Sequence, residues 1–119
     1  MARVDRDAIE QAVLNLLANA MRYSGESRAI EMRLRSENET AVLEVADRGI
    51  GIAPAEQGRI FERFYRVSGP DHDHIPGTGL GLTLVQHIAE AHDGRVSVRS
   101  APGEGSTFSL FIPLERVAS

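Results

Sequence analysis

Two stretches of the chain carry apolar residues at the three- and four-residue spacing of an amphipathic helix. The first extends from residue 7 to about residue 23, and its apolar face comprises Ile9, Val13, Leu16, Leu17 and Ala20. Asp5 or Asp7 can cap its start. The second is predicted from about residue 80 to residue 92, with Leu80, Leu84, Val85 and Ile88 facing inward. Asp93 and Gly94 follow it and are typical of a helix end.

Apolar residues that alternate with charged ones predict the strands. Ile30, Met32 and Leu34 alternate in this way, which predicts a half-buried strand, and residues 42–47 form the returning strand of a hairpin. Residues 95–100 and 107–113 predict a second hairpin, and residues 56–65 a short helix. This order favours an α+β fold, a two-layer α/β sandwich with a mixed, mostly antiparallel sheet and about three helices on one face.

Composition limits the classes of partner. At 119 residues the chain is long enough for one domain with its own core, so we expect a single domain over residues 1–119. The absence of cysteine excludes a disulfide framework, and no apolar run reaches the roughly 18–20 residues of a membrane span. The net charge of -4 gives no reason to expect nucleic acid. All 13 basic residues are arginines, so guanidinium groups, backbone N–H groups or a metal would hold an anion.

A polar stripe runs beside the apolar face of the first helix. It is formed by Gln11, Asn15, Asn19 and either Arg22 or Tyr23. Asn15 and Asn19 lie one turn apart and offer neutral oxygens, which suit Mg²⁺ when phosphates supply the negative charge. Taken alone, two such asparagines are more often exposed or capping residues, and Arg22 and Tyr23 can equally be a solvated helix end.

Two glycine-spaced segments can approach a ligand closely. In Asp47-Arg48-Gly49-Ile50-Gly51 a carboxylate ends a strand and can accept a hydrogen bond from an exocyclic amino group, although an ordinary Asp-Gly turn has the same residues. Gly77, Gly79 and Gly81 directly precede a helix, where free N–H groups and the helix dipole favour phosphate. The second segment matches neither a P-loop nor a dinucleotide fingerprint, and its simpler interpretation is a glycine hinge.

An aromatic and basic cluster lies between these segments. Phe61 and Phe64, at i and i+3, are apolar enough for the core, but they also precede a polar loop and suit a lid hinge. Arg63 and Arg66 are candidates for phosphate contacts or are solvated surface arginines. The four histidines are His72, His74, His87 and His92, and their spacing predicts no metal site.

These segments together resemble the catalytic, ATP-binding domain of sensor histidine kinases, which has the Bergerat (GHKL, HATPase_c) fold. Residues 15–23 resemble the N box, residues 47–51 the G1 box, residues 61–64 the F box and residues 77–82 the G2 box. The four motifs occur in the family's order, and the likeness extends from about residue 5 to residue 113. An accidental match of all four is improbable.

The resemblance implies a role for each matching residue. Asn19 would coordinate Mg²⁺ with support from Asn15, Arg22 would contact phosphate in place of the family's usual lysine, and Tyr23 would lie against the nucleotide. Asp47 would bind the adenine amino group, with Thr107 in a water network beside it. The remaining ATP-binding residues would be Gly49, Gly51, Phe61, Phe64, Gly77, Thr78, Gly79, Leu80, Gly81 and Leu82, and residues 67–76 would form the lid. Catalysis would rest on Asn15, Arg22 and Arg66.

Two departures from related ATPases sharpen the expectation. Gyrase and the heat-shock chaperones carry a water-activating glutamate where this chain has Asn15, so transfer to another acceptor is favoured over hydrolysis. No histidine here has the sequence context of a phosphorylated histidine helix. The chain also starts later than full-length domains of the family, so we expect it to lack an initial strand and helix and to expose a sheet edge.

We therefore expect the Mg-ATP-binding catalytic domain of a two-component sensor histidine kinase. It would transfer the γ-phosphoryl group of ATP to a histidine on a separate dimerisation domain, with a response regulator downstream. We expect ATP and Mg²⁺ as cofactors, a cytoplasmic location, a monomeric domain with little turnover, and a homodimeric parent that can be a membrane sensor. Two alternatives remain: a partner-switching serine kinase of the same fold, against which residues 61–64 argue, and a non-catalytic ATP-binding module.

Overall fold

A computed structural model describes residues 5–24, 29–62 and 81–113. Its elements in chain order are α1 (Arg6–Tyr23), β1 (Ile30–Glu37), β2 (Thr40–Asp47), α2 (Pro54–Gln57), α3 (Gly81–Ala91), β3 (Arg95–Ala101) and β4 (Gly105–Pro113). The strands form one sheet in the order β1-β2-β4-β3, and every neighbouring pair is antiparallel. The predicted α+β sandwich is confirmed, with a sheet that is wholly antiparallel within the described residues.

Helix α1 begins at a side-chain cap. The Asp5 carboxylate accepts a hydrogen bond from the backbone N–H of Ala8 at 3.1 Å, which satisfies one of the free N–H groups of the first turn. Asp5, rather than Asp7, is therefore the cap. Within the described part of the chain, no helix is long and apolar enough to cross a membrane.

Tight turns set the register of both hairpins. Asn38 and Glu39 link β1 to β2 with positive φ angles of 49° and 62°, as a two-residue hairpin turn requires. This turn aligns Ile30 with Asp47 at the open end of the hairpin. In the second hairpin the turn contains Gly103 at φ 78°, and the register aligns Ser106 of β4 with Asp47 of β2. Both hairpins thus place chemistry-bearing residues at one end of the sheet.

The core lies between the sheet and the helices. Helix α1 packs across β2, and α3 packs across β3 and against α1. The buried residues of this layer are Ala12, Leu16, Ala20, Val45, Ile60, Val85, Ile88, Ala89, Phe108, Leu110 and Ile112. Phe61 packs edge-on against Phe108 with their ring centroids 6.3 Å apart. Two helices that pack on each other and on the sheet hold the end of α1 and the start of α3 in fixed relation.

Three sequence predictions about burial and length were wrong. Met32 and Leu34 are 53 % and 73 % exposed, because β1 is an edge strand of the sheet and, among the described elements, no helix packs across it. Leu84 lies on the flank of α3 and is 40 % exposed, because Val85, Ile88 and Ala89 form the side of the helix that faces the core. The short helix begins at Pro54 and ends before Gly58, so residues 58–62 of the predicted helix 56–65 are not helical, and residues 63–65 lie outside the described residues.

Candidate functional site

Asp47 is a buried carboxylate whose two oxygens differ in their hydrogen bonding. Its side chain is only 5 % exposed, and Oδ1 accepts a hydrogen bond from the Gly49 N–H at 2.9 Å. Oδ2 is buried and has no hydrogen-bond partner in the part of the chain that the structure describes. Burial raises the pKa of Asp47, while the backbone N–H groups of Gly49 and Ser106 act in the opposite direction. A buried acceptor without a donor costs free energy unless a ligand supplies the donor.

The loop after β2 lies directly against the end of α1. The backbone N–H of Ile50 donates to the carbonyl oxygen of Tyr23 at 3.2 Å. A Cβ atom on Gly49 would lie 1.6 Å from the same oxygen, so only glycine fits there. This contact brings the predicted residues Tyr23, Asp47 and Gly49 together, although they are far apart in sequence.

The far side of the same loop rests on the β3–β4 hairpin. Gly51 has a φ of 74°, and a Cβ on it would lie 2.0 Å from the carbonyl oxygen of Ala101. The N–H of Ile52 donates to Ser100 Oγ at 2.8 Å. Gln57 Nε2 donates to the carbonyl oxygens of both Ile52 and Ser100, each at 2.8 Å. The loop that carries Gly49 and Gly51 is therefore fixed on two sides before any ligand arrives.

The polar stripe of α1 meets the start of α3. Asn15 Nδ2 donates to the carbonyl oxygen of Gly81 at 3.4 Å, and Asn15 Oδ1 accepts from Gln11 at 3.0 Å. Asn19 is half-buried and makes no side-chain hydrogen bond within the described residues, and Arg22 is exposed. The amide oxygen of Asn19 is thus available to a ligand, whereas that of Asn15 is engaged by Gln11.

No group of three His, Asp or Glu side chains that could hold a metal ion occurs in residues 5–24, 29–62 and 81–113. A cation in this region would depend on neutral oxygens such as that of Asn19 and on the charges of a bound polyanion.

Several predicted site residues lie outside the described residues. They are Phe64, Arg66, Gly77, Thr78, Gly79 and Leu80. Of their described neighbours, Gly81 is the exposed first residue of α3, while Leu82 and Phe61 pack against the hydrophobic core. For Phe61 the simpler interpretation, core packing, is the one that the structure shows.

The prediction for Thr107 was wrong in register. Thr107 pairs with Ala46, and Ser106 is the residue that pairs with Asp47. Because side chains alternate between the two faces of a strand, Thr107 lies on the face opposite Asp47. Ser106 is 6 % exposed and takes the place beside the carboxylate. The sequence offered Ser and Thr side by side, and only the pairing of β2 with β4 decided between them.

Sequence reasoning also missed three residues that support the site. They are Gln57, Thr83 and Ser100. Thr83 Oγ1 donates to the carbonyl oxygen of Phe61 at 2.8 Å and so ties α3 to the segment after α2. Each of these side chains bonds to backbone more than 20 positions away or across a loop, and no local pattern signals such a contact.

A sequence model of the family described as histidine kinase-, DNA gyrase B-, and HSP90-like ATPase matches residues 4–116. The chain belongs to this ATPase family. The buried Asp47 and the glycine-spaced loops can therefore be compared with those of known members of the family.

The relatives of this ATPase-family chain include sensor histidine kinases. The sensor-like histidine kinase SenX3 of Mycobacterium tuberculosis is 42% identical over 92% of this chain and 27% of its own length. The phosphate regulon sensor protein PhoR of Pseudomonas aeruginosa is 38% identical over 92% of this chain and 25% of its own length. The chain thus spans about a quarter of these relatives.

Solved structures agree with the sequence matches. The mycobacterial sensor histidine kinase MprB superposes with a TM-score of 0.85 at 30% identity, covering 98% of this chain and 78% of that one. Full-length ShkA in complex with AMPPNP superposes with a TM-score of 0.75 at 30% identity, covering 94% of this chain and 22% of that one. The resemblance to the ATP-binding domain of sensor histidine kinases is confirmed.

Proposed function

We propose that this chain binds Mg-ATP and presents its γ-phosphoryl group to a histidine on a separate dimerisation domain. It is then the catalytic domain of a two-component sensor histidine kinase, folded as one domain over residues 1–119. The observation that carries the proposal is the buried Oδ2 of Asp47, which has no donor among the described residues. An exocyclic amino group is a donor of the right kind, and adenine carries one.

The base would be oriented by groups that are already fixed. Asp47 Oδ1 is held by Gly49, which leaves Oδ2 as the acceptor for the amino group. The backbone next to the base is rigid because Gly49 and Gly51 are packed against Tyr23 and Ala101. A preformed site of this kind reduces the ordering cost of binding.

The phosphates would lie along the polar stripe of α1. Asn19 offers a free amide oxygen for a magnesium ion, and Arg22 supplies a guanidinium group one turn further along. Bound magnesium supplies charge neutralisation at the phosphate oxygens. Phe64, Arg66 and residues 77–80 remain part of the proposed site by resemblance, and they lie outside the described residues.

Phosphoryl transfer is favoured over hydrolysis because the position of Asn15 carries no carboxylate. The Asn15 side chain is engaged by Gln11 and the Gly81 carbonyl, and a neutral amide cannot take a proton from water. Catalysis would then consist of positioning and of neutralising charge on the transferred group. We also propose a cytoplasmic location, where ATP is available, a homodimeric parent protein and a response regulator as the next acceptor.

The test has two stages. Calorimetric titration with ATP and with GTP, each with and without Mg²⁺, should show magnesium-assisted binding of ATP alone. The protein is then incubated with [γ-³²P]ATP and a purified dimerisation domain from a related sensor kinase, with its histidine either intact or replaced by alanine. Label that appears only on the intact acceptor supports the kinase. Binding without transfer to any acceptor would favour the non-catalytic ATP-binding module, and label on a serine would favour the serine kinase.

A further inference from the structure

Ser100 lies at the centre of a small hydrogen-bond network behind Asp47. Its hydroxyl donates to the carbonyl oxygen of Gly105 at 2.8 Å and accepts the N–H of Ile52, also at 2.8 Å. Its oxygen lies 2.7 Å from Ser106 Oγ. Ser106 in turn pairs with Asp47 across β2 and β4, and both side chains are more than nine-tenths buried.

The proton count of this network fixes the orientation of the Ser106 hydroxyl. A serine hydroxyl has one proton, and a carbonyl oxygen can only accept. Because the Ser100 proton goes to the Gly105 carbonyl, Ser106 must donate in the 2.7 Å contact between the two hydroxyls. Since Ser106 Oγ donates its only proton to Ser100, it can act toward its other neighbours only as a hydrogen-bond acceptor.

Directly opposite residues on neighbouring antiparallel strands point to the same side of the sheet, about 4.5–5.5 Å apart at Cβ. Ser106 and Asp47 therefore lie side by side on one face of the sheet, where both side chains carry acceptors and Asp47 Oδ2 has no donor among the described residues. A ligand group with N–H donors fits there, while a carbonyl oxygen would face acceptors alone.

We propose that Ser100 is a positioning residue that holds Ser106 as an acceptor, so that the pocket selects a purine with an amino group at position 6 over one with an oxo group. The inference rests on the proposed function, because it assumes that a purine nucleotide binds at Asp47. Ser100 touches no ligand itself and acts through Ser106. If Ser100 loses its hydroxyl, Ser106 is free to turn its proton toward Asp47 or toward a 6-oxo group, and either change weakens the preference for the amino group.

The experiment compares ATP with inosine triphosphate (ITP), which has a 6-oxo group in place of the amino group. Kd values for both nucleotides are measured by calorimetry with Mg²⁺ on the full chain and on Ser100→Ala. The ratio of the ITP Kd to the ATP Kd should fall by at least about tenfold in the variant, since a hydrogen bond to a charged group is at stake. If Ser100 has a purely structural role, its replacement should weaken the binding of both nucleotides equally and leave the ratio of the two Kd values unchanged. That result would overturn the proposal.

Control variants separate the parts of this proposal. Ser100→Thr keeps the hydroxyl and should keep the ratio of the ITP Kd to the ATP Kd. Ser109→Ala removes a buried serine of β4 whose hydroxyl contacts Glu44 instead, and this control should also leave the ratio unchanged. The double variant Ser100→Ala/Ser106→Ala has no hydroxyl to turn, so it should recover the part of the preference for ATP that Asp47 supplies alone. A double variant as unselective as Ser100→Ala would contradict the proposed action through Ser106.

A second measurement does not depend on the stability of Ser100→Ala. The Asp47 carboxyl is titrated by NMR in the wild-type chain and in Ser106→Ala. Because the Ser106 proton is committed to Ser100, its removal should leave the pKa of Asp47 almost unchanged. A clear rise would show that Ser106 donates to Asp47, and the proposal would fail. If the wild-type chain binds neither nucleotide, the proposed function fails; if it prefers ATP and Ser100→Ala keeps that preference, only the role of Ser100 fails.

Discussion

Replacing Asp47 with asparagine should lower ATP affinity without lowering the stability of the ligand-free domain. Asparagine has almost the same shape, and its amide oxygen can keep the hydrogen bond from the Gly49 N–H. The amide nitrogen then occupies the position of Oδ2, where it meets the adenine amino group donor to donor. The variant thus changes the one oxygen that has no partner among the described residues and preserves the other.

The size of the effect follows from the burial of the carboxylate. A hydrogen bond to a charged group contributes about 1.5–3 kcal/mol, so ATP affinity should fall by roughly 10- to 150-fold. Stability should move the other way. Burial raises the pKa of Asp47, so the ionised form is disfavoured in the fold, and this cost is present above the raised pKa and disappears as the pH falls through it. At neutral pH asparagine removes the cost, so the melting temperature should stay constant or rise.

Two measurements on the same samples test this prediction. Calorimetry with Mg-ATP gives the affinity, and thermal unfolding followed by circular dichroism without nucleotide gives the stability. Asp93→Asn is a matched control, because Asp93 is an exposed aspartate in a left-handed conformation that asparagine tolerates, and it lies after α3. An unchanged ATP affinity in Asp47→Asn would refute the assignment of Asp47 as the adenine acceptor, and a melting temperature several degrees lower would refute the argument that the buried carboxylate costs stability.

Three further predictions concern the phosphates, the pH and the loop. Asn19→Ala should weaken ATP binding in the presence of Mg²⁺ more than it weakens adenosine binding, and calorimetry that shows equal losses would remove Asn19 from the metal site. ATP affinity should decline as the pH falls through the raised pKa of Asp47, because the carboxylate must be ionised to accept strongly; Asp47→Asn should give a flatter profile over the same pH series. Gly49→Ala should destabilise the domain by about 3 kcal/mol in urea unfolding, because its Cβ would lie 1.6 Å from the Tyr23 oxygen. Gly58→Ala is its control, since a Cβ there meets no atom within 4 Å, and it should be neutral or stabilising by about 0.5 kcal/mol.

The sequence by itself determined the fold class, the type of the main elements and the resemblance to the family. The three- and four-residue spacing in α1 predicted its type and nearly its ends, because a long periodic apolar face has few alternative ways to be buried, and the alternation in β1 predicted a strand there. The glycine spacing after Asp47 predicted a loop whose backbone can approach a ligand closely; the structure adds that Gly49 packs against the carbonyl oxygen of Tyr23.

Only the tertiary structure decided which residues are neighbours. The exposure of Met32 and Leu34 depends on β1 lying at the edge, and strand order is not encoded in the alternation within one strand. Ser106 replaced Thr107 beside Asp47 because a shift of one residue in register reverses the face on which a side chain lies. Ser100 could not be found from the sequence because its three hydrogen bonds join separate segments of the chain, namely β3, the loop after β2 and the start of β4. Local sequence patterns indicate the secondary structure of each segment. Which side chains become neighbours, and which groups donate and accept hydrogen bonds between them, is decided only when the segments pack together.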